Sequence, residues 1–185
     1  KKSNFFDSNF ATEGGAIFFG GNNNTRPADT LRIRNSTIKN NHATDSGVSG
    51  DVWNISGGGL YMQHGVDTYI YNTVFENNSS VAFSSQGGAY GGALSITNYW
   101  SYRYYPMVWI VNSRFTKNTV NHFGGNTNTH GGAIHIGSPH VIVNTVIDSN
   151  HAAFDGGSGR GMGGGLFIDI QSQWDQSGNE ILARS

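Results

Sequence analysis

Two short motifs alternate along this chain, and each occurs five times. The first has a Phe or Ile followed three residues later by an Asn, in the pairs Phe6/Asn9, Ile38/Asn41, Phe75/Asn78, Phe115/Asn118 and Ile147/Asn150. The second is Gly-Gly, then Ala or Gly, then Ile or Leu, and its copies begin at Gly14, Gly57, Gly91, Gly131 and Gly163. A short repeat cannot bury its apolar side chains alone, so this self-similarity predicts stacked repeats that share one core.

The residues around both motifs alternate as in β-strands, and no helical pattern is present. We expect strands at residues 31–34, 68–71, 108–111 and 140–143. Aligned repeats give four apolar columns: Phe6, Ile38, Phe75, Phe115 and Ile147; Ile17, Leu60, Leu94, Ile134 and Leu166; Phe19, Met62, Ile96, Ile136 and Ile168; and Ile33, Ile70, Ile110 and Ile142. Such columns predict an all-β fold, a right-handed single-stranded parallel β-helix (a solenoid) of about five coils with long loop insertions.

Asn and Gly mark the corners between these strands. Asn forms two further columns: Asn35, Asn72, Asn112 and Asn144; and Asn9, Asn41, Asn78, Asn118 and Asn150. Asn tolerates left-handed backbone angles, and stacked Asn side chains can hydrogen-bond to one another. The paired glycines suit either a positive φ angle or a close approach between coils. We therefore expect polar corners that repeat in register with the apolar columns.

The combination of Phe-x-x-Asn with Gly-Gly-Ala-Ile/Leu resembles the repeat of the chlamydial polymorphic outer-membrane proteins and related surface proteins. The resemblance covers residues 3–168, with Ile in place of Phe at Ile38 and Ile147 and Gly in place of Ala at Gly59 and Gly165. It implies a right-handed parallel β-helix at a cell surface. It does not extend to the membrane barrel of that family, so autotransport is not implied for this chain.

The length suits one elongated domain. The 185 residues divide into a β-helix at 1–170 and a C-terminal tail at 171–185 that is a cap or an intersubunit strand. The net charge of -1 with 12% charged residues gives no basic patch for nucleic acid. Apolar runs such as residues 108–111 are too short to span a membrane. Without Cys, disulfides and thiolate metal sites are excluded, and no metal or cofactor is predicted.

The titratable residues do not form a catalytic pattern. The column after the Phe/Ile position holds Asp7, Lys39, Glu76, Thr116 and Asp148, so its acids are separated by at least one coil. His135 and His140 flank a turn and are a weak metal-binding pair. We predict no catalytic residue and a non-enzymatic protein. A carbohydrate-active β-helix, lyase-like or hydrolase-like, stays open as the alternative because the fold hosts such enzymes.

The insertions between strands carry the candidate binding residues. Asn23, Asn54 and Asn77 stand in N-x-Ser/Thr sequences and are candidate glycosylation sites. Residues 98–106 carry a dense set of aromatic side chains, Tyr99, Trp100, Tyr102, Tyr104 and Tyr105, and Trp109 follows on an outward strand position. They suit protein contact or self-association, or else a sugar-stacking platform. The alternative is that the rings fold back and cover a face of the β-helix, and the sequence leaves this alternative open.

The tail carries three apolar side chains, Trp174, Ile181 and Leu182. Either it covers the last coil, or it docks onto the first coil of another molecule and makes head-to-tail filaments. We therefore expect an extracellular or cell-surface structural or adhesive protein, a candidate filament subunit with glycosylated loops. Its expected partners are further copies of itself, a cell-surface ligand or glycans.

Overall fold

The computed structural model describes residues 4–20, 30–45, 54–63, 66–83, 87–97, 107–124, 127–155 and 158–169, together with the backbone of 173–174 and 180–181. Within these ranges every regular element is a β-strand, so the protein is all-β as predicted. The strands form five parallel sheets and one short antiparallel pair.

Each parallel sheet contains one strand from each of four or five repeats. Sheet I holds β1 (Asn4–Asp7), β5 (Ser36–Lys39), β10 (Val74–Glu76), β15 (Arg114–Thr116) and β20 (Val146–Asp148). Sheet II holds β2 (Phe10–Ala11), β6 (His42–Thr44), β11 (Ser79–Ala82), β16 (Thr119–His122) and β21 (His151–Phe154). Sheet III holds β7 (Asn54–Ser56), β12 (Gly88–Tyr90), β17 (Thr129–His130) and β22 (Gly161–Met162).

The remaining two sheets follow the Gly-Gly motif. Sheet IV holds β3 (Ile17–Gly20), β8 (Leu60–Gln63), β13 (Leu94–Thr97), β18 (Ile134–Ile136) and β23 (Leu166–Ile168). Sheet V holds β4 (Thr30–Arg34), β9 (Asp67–Tyr71), β14 (Val108–Val111) and β19 (His140–Val143). From the second repeat on, the chain visits sheets I to V in order and then returns to sheet I. The strands predicted at 31–34, 68–71, 108–111 and 140–143 are those of sheet V.

The four predicted apolar columns are confirmed by the strand register. Phe75 pairs with Ile38 on one side and Phe115 on the other, and Ile96 pairs with Met62 and Ile136. The rings of Phe75 and Phe115 stack with centroids 4.6 Å apart. Most of these column residues form a single core, and a smaller core of Ala43, Ile55, Ala82, Ala89 and Val120 lies elsewhere in the repeats.

A continuous ladder of Asn side chains runs beside this core. Each Nδ2 donates to the Oδ1 of the next repeat, at 2.8 Å from Asn9 to Asn41, 2.9 Å from Asn41 to Asn78, and 3.0 Å onward to Asn118 and to Asn150. That same Oδ1 also accepts the backbone N–H of the preceding Asn, for example Asn78 to Asn118 at 3.0 Å. The predicted stacking of this column is thus confirmed, and the three middle members are fully buried.

The backbone φ angles at the corners follow the Asn residues of one column but not those of the other. Asn35, Asn72, Asn112 and Asn144 do adopt positive φ angles, between 46° and 50°. In the first motif, however, the left-handed residue precedes the ladder Asn, as at Asn77 with φ 54°. The ladder side chains therefore hold the corner by hydrogen bonds, while the preceding residue makes the bend.

The Gly-Gly pair serves both purposes that the sequence suggested, one at each glycine. Gly91 has a φ of 56°, in the region that side-chain-bearing residues rarely adopt. Gly92 lies so close to the next repeat that a Cβ there would overlap the carbonyl oxygens of Gly132 and Thr119. The spacing between repeats at this corner therefore requires a residue without a side chain.

Only the backbone of two short tail segments is described. β24 (Gln173–Trp174) and β25 (Glu180–Ile181) pair antiparallel with each other, with Trp174 opposite Glu180. The side chains of Trp174 and Ile181, and Leu182 entirely, lie outside the described residues.

Replacing Gly92 by Ala should destabilise the protein by more than about 3 kcal/mol, because backbone of the next repeat must move. Gly164 occupies the same motif position in the last repeat, and a Cβ there would lie 3.5 Å from Asn150 O, an ordinary contact. Gly164→Ala is therefore the matched control and should change stability by less than about 1 kcal/mol. Urea unfolding measures both, and equal losses would contradict the close-approach explanation.

Candidate functional site

The structure describes some of the candidate binding residues and not others. Asn23 and the aromatic residues Tyr99, Trp100, Tyr102, Tyr104 and Tyr105 lie outside the described ranges. Asn77 is exposed at a corner, where its Nδ2 donates to Asn40 Oδ1 at 2.8 Å. Asn54 begins β7, is half-buried, and its Oδ1 accepts the Gly88 N–H at 3.2 Å. Asn77 is thus the more accessible of the two described glycosylation candidates.

Trp109 belongs to an ordered stack on the outer face of sheet V. Two outward columns run along this face: Arg32, Tyr69, Trp109 and Val141; and Arg34, Tyr71, Val111 and Val143. The rings of Tyr69 and Trp109 are nearly parallel, with centroids 4.3 Å apart and an interplanar angle of 4°. The Arg32 guanidinium lies 5.2 Å from the centroid of the Tyr69 ring. We call these eight residues the sheet V face.

This stacking determines which parts of the aromatic rings face outward. Tyr69 has Arg32 from the preceding repeat on one ring face and Trp109 from the following repeat on the other. Sugars stack on ring faces, so Tyr69 offers them only its edge. The last repeat adds Val141 and Val143, which are 38% and 49% exposed. The surface therefore suits contact with a protein better than stacking with a sugar ring.

The acidic column on sheet I is paired with cations. Its register is confirmed, with Asp7 opposite Lys39 and Thr116 opposite Asp148. Arg114 Nη2 lies 2.8 Å from Asp148 Oδ2, Lys39 Nζ lies 3.7 Å from Asp7, and Lys117 Nζ lies 3.9 Å from Glu76. A hydrogen bond from Asn40, aided by Lys39, lowers the pKa of Asp7. These carboxylates are each held by a cation rather than arranged as a converging acid and base.

A second cluster of polar and aromatic side chains lies where sheets III and IV meet, and His135 is the one member that the sequence had indicated as a candidate. Sheet III contributes Tyr90 and His130, and sheet IV contributes Ser95, His135 and Phe167. His135 alternates with the core residues Ile134 and Ile136, so it points away from the core, yet only 2% of it is exposed. We call these five residues the histidine cluster.

The rings of the histidine cluster pack against one another across the two sheets. His130 stacks on Phe167 with centroids 4.2 Å apart, and Tyr90 lies 5.2 Å from His130 and 5.0 Å from His135. The two imidazole centroids are 5.8 Å apart. His135 Nδ1 lies 3.4 Å from Ser95 Oγ. Both nitrogens of His130 and Nε2 of His135 are buried and have no hydrogen-bond partner among the residues that the structure describes.

Burial keeps both imidazoles neutral. It lowers the pKa of His135 to about 3, with a further contribution from His130. Burial also lowers the pKa of His130, while the Asp169 carboxylate opposes that shift. The pKa of Tyr90 is raised by burial and by Asp169. At neutral pH the cluster thus presents uncharged imidazoles with available lone pairs beside a carboxylate.

The sequence contains the two columns to which this cluster belongs, but it does not show that they meet. The residue just before each Gly-Gly pair forms a column of its own: Glu13, Ser56, Tyr90, His130 and Met162. The residue after each first Ile or Leu forms another: Phe18, Tyr61, Ser95, His135 and Phe167. Which columns converge depends on the angle between the sheets, and sequence spacing does not give that angle.

His140, the other member of the predicted weak metal pair, begins β19 on sheet V, and its Nδ1 lies 3.1 Å from Ser138 O. In the described ranges no three His, Cys, Asp or Glu side chains are grouped as metal ligands.

No helix suited to crossing a membrane is found in the part of the chain that the structure covers. Comparison with protein-family models, curated proteins and solved structures gives no match to this chain.

Acid should destabilise the fold through His135. The unfolded state takes up a proton below the ordinary His pKa of 6.5, whereas the folded state takes it up only near pH 3. This contribution is therefore present above pH 6.5 and is lost as the pH falls toward 3, by about 1.4 kcal/mol per pH unit. Urea unfolding of the wild type and His135→Gln between pH 7 and 4 should show a shallower pH dependence in the variant, and identical slopes would refute this role.

Proposed function

We propose that this chain is a right-handed, single-stranded parallel β-helix, a solenoid, that serves as a non-enzymatic structural and adhesive element outside the cell or at its surface. The five in-register parallel sheets, visited in a fixed order, support this architecture. The right hand is the one favoured for parallel crossover connections. The repeat resemblance to chlamydial polymorphic outer-membrane proteins points to the same architecture and location.

The sheet V face is the observation that carries the proposed function. It is continuous over four repeats and changes from Arg side chains through aromatic rings to exposed valines. Aromatic and Arg side chains are enriched at protein interfaces and contribute most to their affinity. The partner we propose is a second copy of this chain. A two-fold contact would place the central aromatic stacks together and the Arg end of one copy over the Val end of the other.

The rival carbohydrate-active function has less support from the described residues. The carboxylates of the sheet I column are in ion pairs with Lys39, Arg114 and Lys117. The ring faces of Tyr69 are covered by Arg32 and Trp109. Both observations favour a scaffold with a protein-contact face over a sugar-binding cleft.

The double variant Val141→Lys/Val143→Lys tests the sheet V face. Lateral self-association should weaken at least about tenfold, because two charges would be buried in the contact. Sedimentation velocity over a concentration series measures the association. Val146→Lys is the matched control, since Val146 is 49% exposed in the same repeat but lies on sheet I. The proposal fails if the wild type is monomeric throughout or if the control weakens association equally.

Head-to-tail stacking is a second candidate, favoured by the chemistry of the first and last repeats. Phe6 and Ile147, Ile17 and Leu166, and Asn9 and Asn150 occupy equivalent columns, and Ile168 is 39% exposed. The Asn150 side chain stands where another Asn could continue the ladder. A second copy placed on the last repeat would extend the apolar columns and the ladder in register. The tail residues Trp174, Ile181 and Leu182 stay candidates for that contact.

Electron microscopy of the purified protein tests this stacking. Wild-type particles should lengthen into filaments as concentration rises, and Ile168→Lys should keep them short because it places a charge in the junction. Phe123→Lys, at another exposed apolar position, is the control and should leave elongation unchanged. Short rods of constant length at every concentration would rule head-to-tail assembly out. Widening without lengthening would instead support the lateral contact alone.

A further inference from the structure

We propose that His130 and His135 form a two-histidine binding site for a borderline transition-metal ion such as Zn²⁺. The proposal goes beyond the structural role above and uses a different part of the molecule. It rests on the geometry of the histidine cluster and on its unpaired buried nitrogens.

The spacing of the two rings suits a shared ion. Zinc binds imidazole nitrogen at about 2.0–2.1 Å, which places two imidazole centroids on one ion roughly 5 to 6 Å apart. The centroids of His130 and His135 are 5.8 Å apart. His130 is the last residue of β17, and His135 is the middle residue of β18; the Gly131–Gly132 corner lies between them. Strands hold both rings, so the pair is positioned before any ion arrives.

The hydrogen bonding of the cluster leaves lone pairs for an ion. Among the described residues, three of the four imidazole nitrogens are buried without a hydrogen-bond partner. Buried polar atoms are normally hydrogen-bonded, so unpaired nitrogens on two neighbouring strands point to a ligand. The fourth nitrogen, His135 Nδ1, lies 3.4 Å from Ser95 Oγ. A metal-bound His characteristically uses its other nitrogen in such a contact, which fixes its tautomer.

The surroundings favour a cation over an anion. The Asp169 carboxylate acts electrostatically on both His130 and Tyr90. Imidazole binds metal ions in its neutral form. Imidazole pairs select zinc, copper or nickel over magnesium or calcium, which prefer oxygen ligands.

The two His side chains leave coordination positions open. Within the described residues no third His, Cys, Asp or Glu completes a ligand group. Water or an external ligand would fill the other positions, as in zinc sites that have fewer than four protein ligands.

Zinc chloride titration of the whole protein at pH 7.5 tests the site. The thermal midpoint should rise by roughly 5 to 10 °C when zinc is about a hundredfold above its dissociation constant, and magnesium chloride should leave it unchanged. His130→Gln and His135→Gln should each weaken zinc binding at least tenfold by calorimetry. His151→Gln is the control, because His151 is exposed on β21 of another sheet.

Two outcomes would overturn the proposal. One is the absence of zinc binding by the wild type, in which case the buried nitrogens are met by water alone. The other is unchanged zinc binding in His130→Gln, which would place the ion elsewhere. His135 is deeply buried, so its variant can fail to fold. Two measurements do not depend on that variant: zinc binding by His130→Gln, whose site is half-buried, and the side-chain nitrogen NMR signals of both imidazoles in the wild type. Those signals should shift with zinc and not with magnesium.

Discussion

The in-register stacking of like residues is the constraint on which the rest of this structure depends. The Asn ladder is its clearest expression, because each buried side chain satisfies both the backbone and the side chain of its neighbour in the adjacent repeat. Shifting one repeat by a residue would leave those buried amides unpaired, at about 1–3 kcal/mol each. The ladder thus fixes the register of sheets I and II, which flank it, and the apolar column of sheet I follows the same register.

Stacking also determines what the outer surfaces can do. On sheet V it stacks Arg32, Tyr69 and Trp109 in one column, so these side chains cover one another's ring faces. Only the ring edges and the valines of this face then point outward. On sheet I it places basic side chains beside the acids, so the charges are paired. Where sheets III and IV meet it brings His130 and His135 together, with three of their four nitrogens unpaired among the described residues. One rule of assembly therefore gives two outer faces and one buried cluster of different chemistry.

Much of the fold could be predicted because the residues of each apolar and Asn column recur along the sequence within a recognisable repeat. The repeat aligns Phe75 with Phe115, and the strand register pairs the same two residues. The corners were harder, since the left-handed residue is Asn77 rather than the conserved-looking ladder position Asn78. Both are Asn, and composition alone cannot distinguish a residue that bends the backbone from one that hydrogen-bonds across repeats.

The sequence by itself determined the repeat, the parallel stacking of its strands and the residues that line the core, because these depend on periodicity within a short stretch of chain. The tertiary structure decided which outward columns meet. Tyr90 and His135 lie on different sheets of successive repeats, yet their rings are 5.0 Å apart. That contact depends on the angle at the Gly-Gly corner, where Gly91 takes a positive φ and Gly92 touches the next repeat. The angle is a property of packed backbones, so residue spacing alone does not reveal it.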